Sequence, residues 1–139
     1  MIKRTNILPQ WLDDFIFVEL KANYCPRYTD MTNVDDDNYK TLNYLGTYFP
    51  RSYIEAYNIF SEYFQKNKSD FGQKDELFIF DFGSGTGGEI IGLLSALDEQ
   101  LPSLKKVRVV ALDGNLYALQ LYEKVLNELD KNIKIQVEN

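Results

Sequence analysis

The chain contains no histidine and only one cysteine, Cys25, among its 139 residues. Without an imidazole it cannot build a Ser-His-Asp triad, a histidine general base or a histidine-ligated metal site. A single cysteine excludes an internal disulfide framework and fits a reducing compartment, so we interpret Cys25 as a spectator thiol. These absences exclude several classes of hydrolase and metalloenzyme.

Long apolar runs and excess positive charge are also lacking. No stretch approaches the roughly 20 apolar residues of a membrane span, and the N-terminus has no apolar core of a secretory signal. We therefore expect a cytoplasmic protein without membrane contact. The net charge is −6 and the pI is about 4.6, which argues against a dominant nucleic-acid footprint, since such a footprint needs clustered Lys and Arg.

The apolar spacing in residues 1–70 predicts a helical N-terminal segment. Residues 9–22 have helical apolar spacing after a proline, which suits the start of a helix. A polar loop follows and includes three consecutive aspartates at residues 35–37. Their spacing lacks the glycine and the distant glutamate of a calcium loop, so we expect a solvated acidic loop and no metal site.

Two further helices are predicted on either side of Pro50. The first, "YKTLNYLGTYF", is expected to stop before this proline. The second is expected to begin with a capping box formed by Ser52 and Glu55. Its aromatic residues follow one stripe at helical spacing, which we interpret as core packing.

The pattern changes in residues 71–139. The run "ELFIFDF" is typical of a strand buried in a parallel sheet. A helix, the strand "VRVVALD", a second helix and the strand "IKIQVEN" follow. We expect an α/β fold in which N-terminal helices precede a partial Rossmann-like βαβαβ unit of three parallel strands, in the order 3-2-1.

The stretch "FDFGSGTGG" joins the first predicted strand to the next helix. Its glycines remove Cβ atoms beside a helix N-terminus, which suits a small ligand. Gly83, Gly85 and Gly88 match a dinucleotide fingerprint, and Gly83, Gly85 and Gly87 match a G-x-G-x-G pattern, so the glycines alone do not choose the ligand. Asp81 would repel a pyrophosphate and suits a cationic ligand. The loop also lacks the lysine of a Walker motif.

Asp113 follows the second predicted strand. In folds of this kind, an acid at this position accepts hydrogen bonds from the ribose hydroxyls of the ligand. The alternative is that Asp113 only caps the next helix.

The segments "FIFDFGSGTGG" and "VVALDGN" resemble the first two motifs of class I S-adenosylmethionine-dependent methyltransferases. The helical segment "YLGTYFPRSYIEAYNIFSEYF" before the glycines is similar to the ribosomal-small-subunit-associated methyltransferase-like family. The resemblance covers residues 42–120. It implies S-adenosylmethionine as the cofactor and residues 71–139 as the first half of the domain that binds it.

The resemblance also implies a role for each matching residue. Asp81 and the glycine loop would hold the methionine end of the cofactor, Asp113 the ribose and Leu116 the adenine. Two residues of the preceding helix would close over the methionine carboxylate. The implied cofactor-binding residues are Asp81, Gly83, Ser84, Gly85, Gly87, Asp113, Leu116, Arg51 and Tyr53.

The chain departs from the family by having fewer strands than a complete enzyme and no identifiable catalytic residue. We expect the N-terminal part of a methyltransferase, inactive alone, with RNA as the acceptor that the resemblance suggests. The alternatives are half of a nicotinamide- or flavin-dependent oxidoreductase, and a non-catalytic interaction module with a vestigial ligand loop.

The first predicted strand is apolar on both sides. Leu77 and Ile79 point one way, whereas Phe78, Phe80 and Phe82 point the other. In a three-stranded sheet one of these faces would be left uncovered. We expect this face to pair with a second copy, or with the missing C-terminal half, rather than to be covered by the N-terminal helices.

Overall fold

The computed structural model describes residues 4–26 and 38–139. The predicted acidic loop at residues 35–37 lies outside this part. The elements are α1 (Gln10–Asp14), a π-helical turn (Phe15–Glu19), α2 (Asn38–Lys66), α3 (Lys68–Phe71), β1 (Glu76–Phe82), α4 (Gly88–Gln100), β2 (Lys106–Leu112), α5 (Leu116–Leu129) and β3 (Gln136–Glu138). The α/β class, with three parallel strands in one sheet, is confirmed.

The strands lie in the order β1-β2-β3, with β2 in the centre. The register pairs Phe82, the last residue of β1, with Leu112, the last residue of β2. The carboxyl ends of these two strands are therefore adjacent. The loops that follow β1 and β2 therefore lie side by side at one edge of the sheet.

Helix α4 is buried on nearly all sides because it lies between the sheet and α2. Its apolar residues join one core with β2 and α5, and Leu77 and Ile79 of β1 pack against that core. Two glycines permit the close approach to α2. A Cβ at Gly92 would lie 2.5 Å from the Tyr53 carbonyl oxygen, and one at Gly88 would lie 2.9 Å from the Phe49 carbonyl oxygen.

Helix α2 runs without interruption through Pro50, so the prediction of two helices is wrong. Ser52 and Glu55, predicted to cap the second helix, lie inside α2. A proline within a helix removes one backbone hydrogen bond, at a cost of about 3 kcal/mol. Burial of Phe49 and Tyr53 on either side of Pro50 offsets this cost.

The segment before α2 supports the turn that precedes Pro50. The Cys25 amide donates to the Thr47 hydroxyl at 2.9 Å, and the Asn23 amide donates to the Leu42 carbonyl at 3.3 Å. Gly46 leaves no space here, since a Cβ would lie 2.2 Å from the Asn23 carbonyl oxygen. Within residues 4–26 and 38–139, none of the helices, α2 included, has the length and apolar character needed to span a bilayer.

The second face of the sheet is not covered by any described residue. Phe78, Phe80 and Phe82 are 64%, 56% and 82% exposed, and Val110 and Leu112 of β2 are exposed beside them. These five residues form the open sheet face. The N-terminal helices pack against the opposite layer of the fold. They do not cover Phe80, which agrees with the expectation from the sequence.

A row of paired charges on β1, β2 and β3 borders the open sheet face. Arg108 lies 2.7 Å from Glu76 and 3.7 Å from Glu138, and Lys106 lies 2.5 Å from Glu138. Because these charges pair within one chain, they leave no net charge to oppose the approach of a second copy.

We predict that the chain self-associates through the open sheet face. Each phenylalanine buries roughly 150–250 Å² when covered, so pairing two copies approaches the roughly 1,000 Å² of a specific interface. Sedimentation velocity at micromolar concentration should detect association, and Phe80→Glu should abolish it. Ile59→Glu, which changes a comparably exposed residue on α2, should not. A monodisperse monomer for the unmodified chain would contradict the prediction.

Candidate functional site

The loop between β1 and α4 requires its glycines for backbone reasons. Gly83, Gly85 and Gly87 have φ values of 77°, 56° and 87°, in the left-handed region that other residues rarely adopt. Gly83 leaves open space, since a Cβ there would meet nothing within 4 Å. At Gly87, by contrast, a Cβ would lie 2.1 Å from the ring of buried Tyr122. The first glycine therefore faces the solvent side of the site and the last faces the core.

The loop is bonded to the end of β2. The amides of Gly83 and Ser84 donate to the Leu112 carbonyl at 2.7 and 3.0 Å. The Gly85 amide donates to Oδ2 of Asp113 at 2.8 Å. The structure thus brings Asp113 together with the glycine loop, although 28 residues separate it from Gly85.

The capping alternative for Asp113 is settled by its neighbour. Asn115 is the N-cap of α5, and its side chain accepts a hydrogen bond from the Ala118 amide at 3.1 Å. Asp113 instead joins two backbone segments, since Oδ2 accepts from the Gly85 amide of the loop and Oδ1 accepts from the Asn115 amide, each at 2.8 Å. A carboxylate offers about four acceptor positions, so Asp113 retains capacity for a ligand.

The loop amides are directed inward. The amides of Gly83, Ser84 and Gly85 donate to β2 and Asp113, and the Gly87 amide donates to the Ser84 carbonyl at 3.0 Å. Loops that cradle a phosphate direct such amides at the anion. The amides of Gly83, Ser84, Gly85 and Gly87 are therefore not free to bind a pyrophosphate.

Three carboxylates make the surroundings of the loop electronegative. Burial raises the pKa of Asp81 above its ordinary value, and the nearby charges of Glu89 and Asp113 raise it further. The three acids flank the loop without converging, and among residues 4–26 and 38–139 no acidic or cysteine cluster could hold a metal ion. The arrangement favours an organic cation over a phosphate or a metal.

A cleft of about 90 Å³ lies between α2 and the loop. Its walls come from both elements, and it contains no basic side chain. The lining residues are Tyr44, Tyr48, Phe49, Ser52, Gly83, Ser84, Thr86, Gly87, Gly88 and Glu89. The Ser84 hydroxyl oxygen is buried with no hydrogen-bond partner among the described residues.

The cleft wall on α2 was not predicted from the sequence. Tyr44, Tyr48 and Ser52 are spaced four residues apart, which places them on one stripe of a continuous helix. The break predicted at Pro50 concealed this periodicity.

The structure places Arg51 and Tyr53 away from the cleft. Tyr53 is 2% exposed and stacks between Phe49 and Tyr57 in the core. The Arg51 side chain is exposed, with Nε 2.9 Å from Glu55. Neither residue is brought to the glycine loop, where the resemblance implied that both would act.

Leu116 follows the N-cap of α5 and is 62% exposed. Gly114, between Asp113 and this helix, has open space around its Cα. The surface beside Gly114 and Leu116 is therefore open.

We predict that Asp81→Asn stabilises the ligand-free protein at neutral pH. Because the folded-state pKa of Asp81 lies above its ordinary value of 3.8, its contribution to stability is fully present below that value and is lost as the pH rises through the folded pKa. The difference in unfolding free energy between the variant and the unmodified chain, measured in urea, should vanish near pH 3.5. Glu123→Gln is the control, and a less stable Asp81→Asn at pH 7 would refute the assignment.

A second prediction separates the two ends of the loop. Alanine at Gly83 or at Gly87 would have to adopt a left-handed backbone conformation, which destabilises the fold by about 1–2 kcal/mol. Only Gly87→Ala would also clash with the ring of Tyr122. We expect Gly87→Ala to lower the unfolding free energy by a further 1–3 kcal/mol or so. Equal losses in urea denaturation would show that Gly87 does not pack as described.

No family model, curated protein or solved structure matches this chain. The loop geometry, the carboxylates and the cleft together define the candidate site.

Proposed function

We propose that the glycine loop binds S-adenosylmethionine and that the chain is the cofactor-binding portion of a class I methyltransferase with a Rossmann-like domain. The main observation in support is an electronegative glycine loop. The amides of Gly83, Ser84 and Gly85 in this loop already donate to β2 and Asp113. Such a loop disfavours the pyrophosphate of a nicotinamide or flavin cofactor and favours a ligand with a cationic centre. The strand order β1-β2-β3 supports the Rossmann-like assignment.

Each part of the proposed ligand has a suitable surface. The ribose hydroxyls would donate to Asp113, and the adenine would lie on the open surface beside Gly114 and Leu116. The amino-acid end would enter the cleft, whose lining includes Ser52 and Ser84. The cleft is small, with a volume of about 90 Å³, so the ribose and the adenine would lie outside it.

In methyl transfer the cofactor supplies the electrophile, because its sulfonium activates the methyl group. The chain's own residues bind and orient the cofactor, and α2 excludes water from one side of the cleft. The resemblance suggests an RNA acceptor. With a net charge of −6, we propose that a basic partner supplies the phosphate contacts.

A non-catalytic interaction module is the second candidate. The open sheet face favours it, because an apolar patch of this kind marks an interaction surface. An interaction module would not need the loop to bind any nucleotide derivative.

Isothermal titration calorimetry with S-adenosylmethionine, S-adenosylhomocysteine and NADH tests the proposal. The two adenosyl ligands should bind and NADH should not. Asp113→Ala should weaken binding by about 1–3 kcal/mol through loss of the ribose contacts. Asp113→Asn can accept from only one of the two amides that Asp113 holds, those of Gly85 and Asn115, so it should also weaken binding, but less than Asp113→Ala.

Circular dichroism would confirm that both Asp113 variants remain folded. The proposed function would be refuted if a heat of binding were detected with NADH only. It would also be refuted if neither adenosyl ligand gave a heat of binding at millimolar concentration.

A further inference from the structure

Two tyrosines of α2 form an aromatic wall over the glycine loop. The rings of Tyr44 and Tyr48 lie 5.1 Å apart at an interplanar angle of 42°. Both residues line the cleft. We define this pair as the tyrosine wall.

Tyr44 is the member of the tyrosine wall that reaches the loop. A Cβ at Gly85 would lie 3.4 Å from the Tyr44 hydroxyl oxygen and 3.5 Å from its ring carbon Cε1. Gly85 is also the residue whose amide donates to Asp113. The ring of Tyr44 therefore stands beside the junction of the loop with β2.

The electrostatics around Tyr44 suit a positive charge. Burial raises the pKa of its hydroxyl, and the nearby Asp113, Tyr48 and Glu89 raise it further, so the phenol stays neutral. A neutral tyrosine presents an electron-rich face that attracts cations. No basic side chain among the described residues lines the cleft to compete for that face.

We propose that the tyrosine wall, chiefly Tyr44, makes the site selective for the charge of the sulfonium. This inference rests on the proposed function and assigns a specificity-determining role that the sequence did not indicate. S-adenosylmethionine carries a positive sulfur, whereas the thioether of S-adenosylhomocysteine is neutral. The wall and the carboxylates hold the cofactor while it carries the methyl group and release it once the methyl group has gone.

The test compares the affinities of three ligands by calorimetry. These are S-adenosylmethionine, S-adenosylhomocysteine and sinefungin, in which an ammonium-bearing carbon replaces the sulfonium. The unmodified chain should bind both cationic ligands more tightly than the thioether. Tyr44→Phe keeps the aromatic face and should keep this preference.

Tyr44→Leu should lower the ratio of sulfonium to thioether affinity by about 3- to 30-fold, which corresponds to the usual strength of a cation–π contact. The matched control is Tyr39→Leu, which removes an exposed ring from the same helix and should leave the ratio unchanged. If circular dichroism shows that Tyr44→Leu is unfolded, Tyr44→pentafluorophenylalanine keeps the ring shape, removes its negative face and should give the same loss.

The outcomes separate this inference from the proposed function. If the unmodified chain binds none of the three ligands, the proposed function fails and this inference fails with it. If it binds them but Tyr44→Leu or its fluorinated substitute keeps the full preference, cofactor binding stands and selection by Tyr44 is wrong. Loss of preference in Tyr44→Phe would overturn the aromatic-face argument in favour of the hydroxyl.

Discussion

The hydrogen bond from the Gly85 amide to the Asp113 carboxylate, 2.8 Å long, is the interaction on which the site depends. It joins the loop after β1 to the tip of β2, and it can form only because the parallel register brings Phe82 beside Leu112. Once it forms, the loop amides point inward and a carboxylate lies at the mouth of the site. The same bond therefore supports the loop conformation and holds the Asp113 carboxylate beside the loop.

A second constraint is the close approach of α2 to α4. Gly88 and Gly92 leave no room for side chains against the α2 backbone, so the two helices pack tightly. Because α4 starts at the glycine loop, this packing also places Tyr44 and Tyr48 of α2 beside the loop, where they line the cleft. The helix that completes the core thus also forms one wall of the site. The aromatic side chains of the open sheet face do not line the cleft.

The βαβαβ part of the fold could be predicted because strand and helix periods differ sharply there and glycines mark the turn. The proximity of Asp81 and Asp113 to the loop followed from the rule that parallel strands end at one edge. The α2 wall was missed because proline is a strong local signal for a helix end, and only the buried interface with α4 overrides it. Tyr53 was predicted from the family resemblance to lie near the loop, with α2 interpreted as two helices. In the continuous helix its position faces α4.

The central claim is that an adenosyl cofactor binds between the glycine loop and the tip of β2. Heteronuclear NMR of the isotope-labelled chain, titrated with S-adenosylhomocysteine, tests it most directly, because every amide of the loop reports separately. We predict that the largest shifts fall on residues 83–88 and 113–116, with small shifts on β3. No shifts at millimolar ligand, or shifts centred on the open sheet face, would contradict the claim.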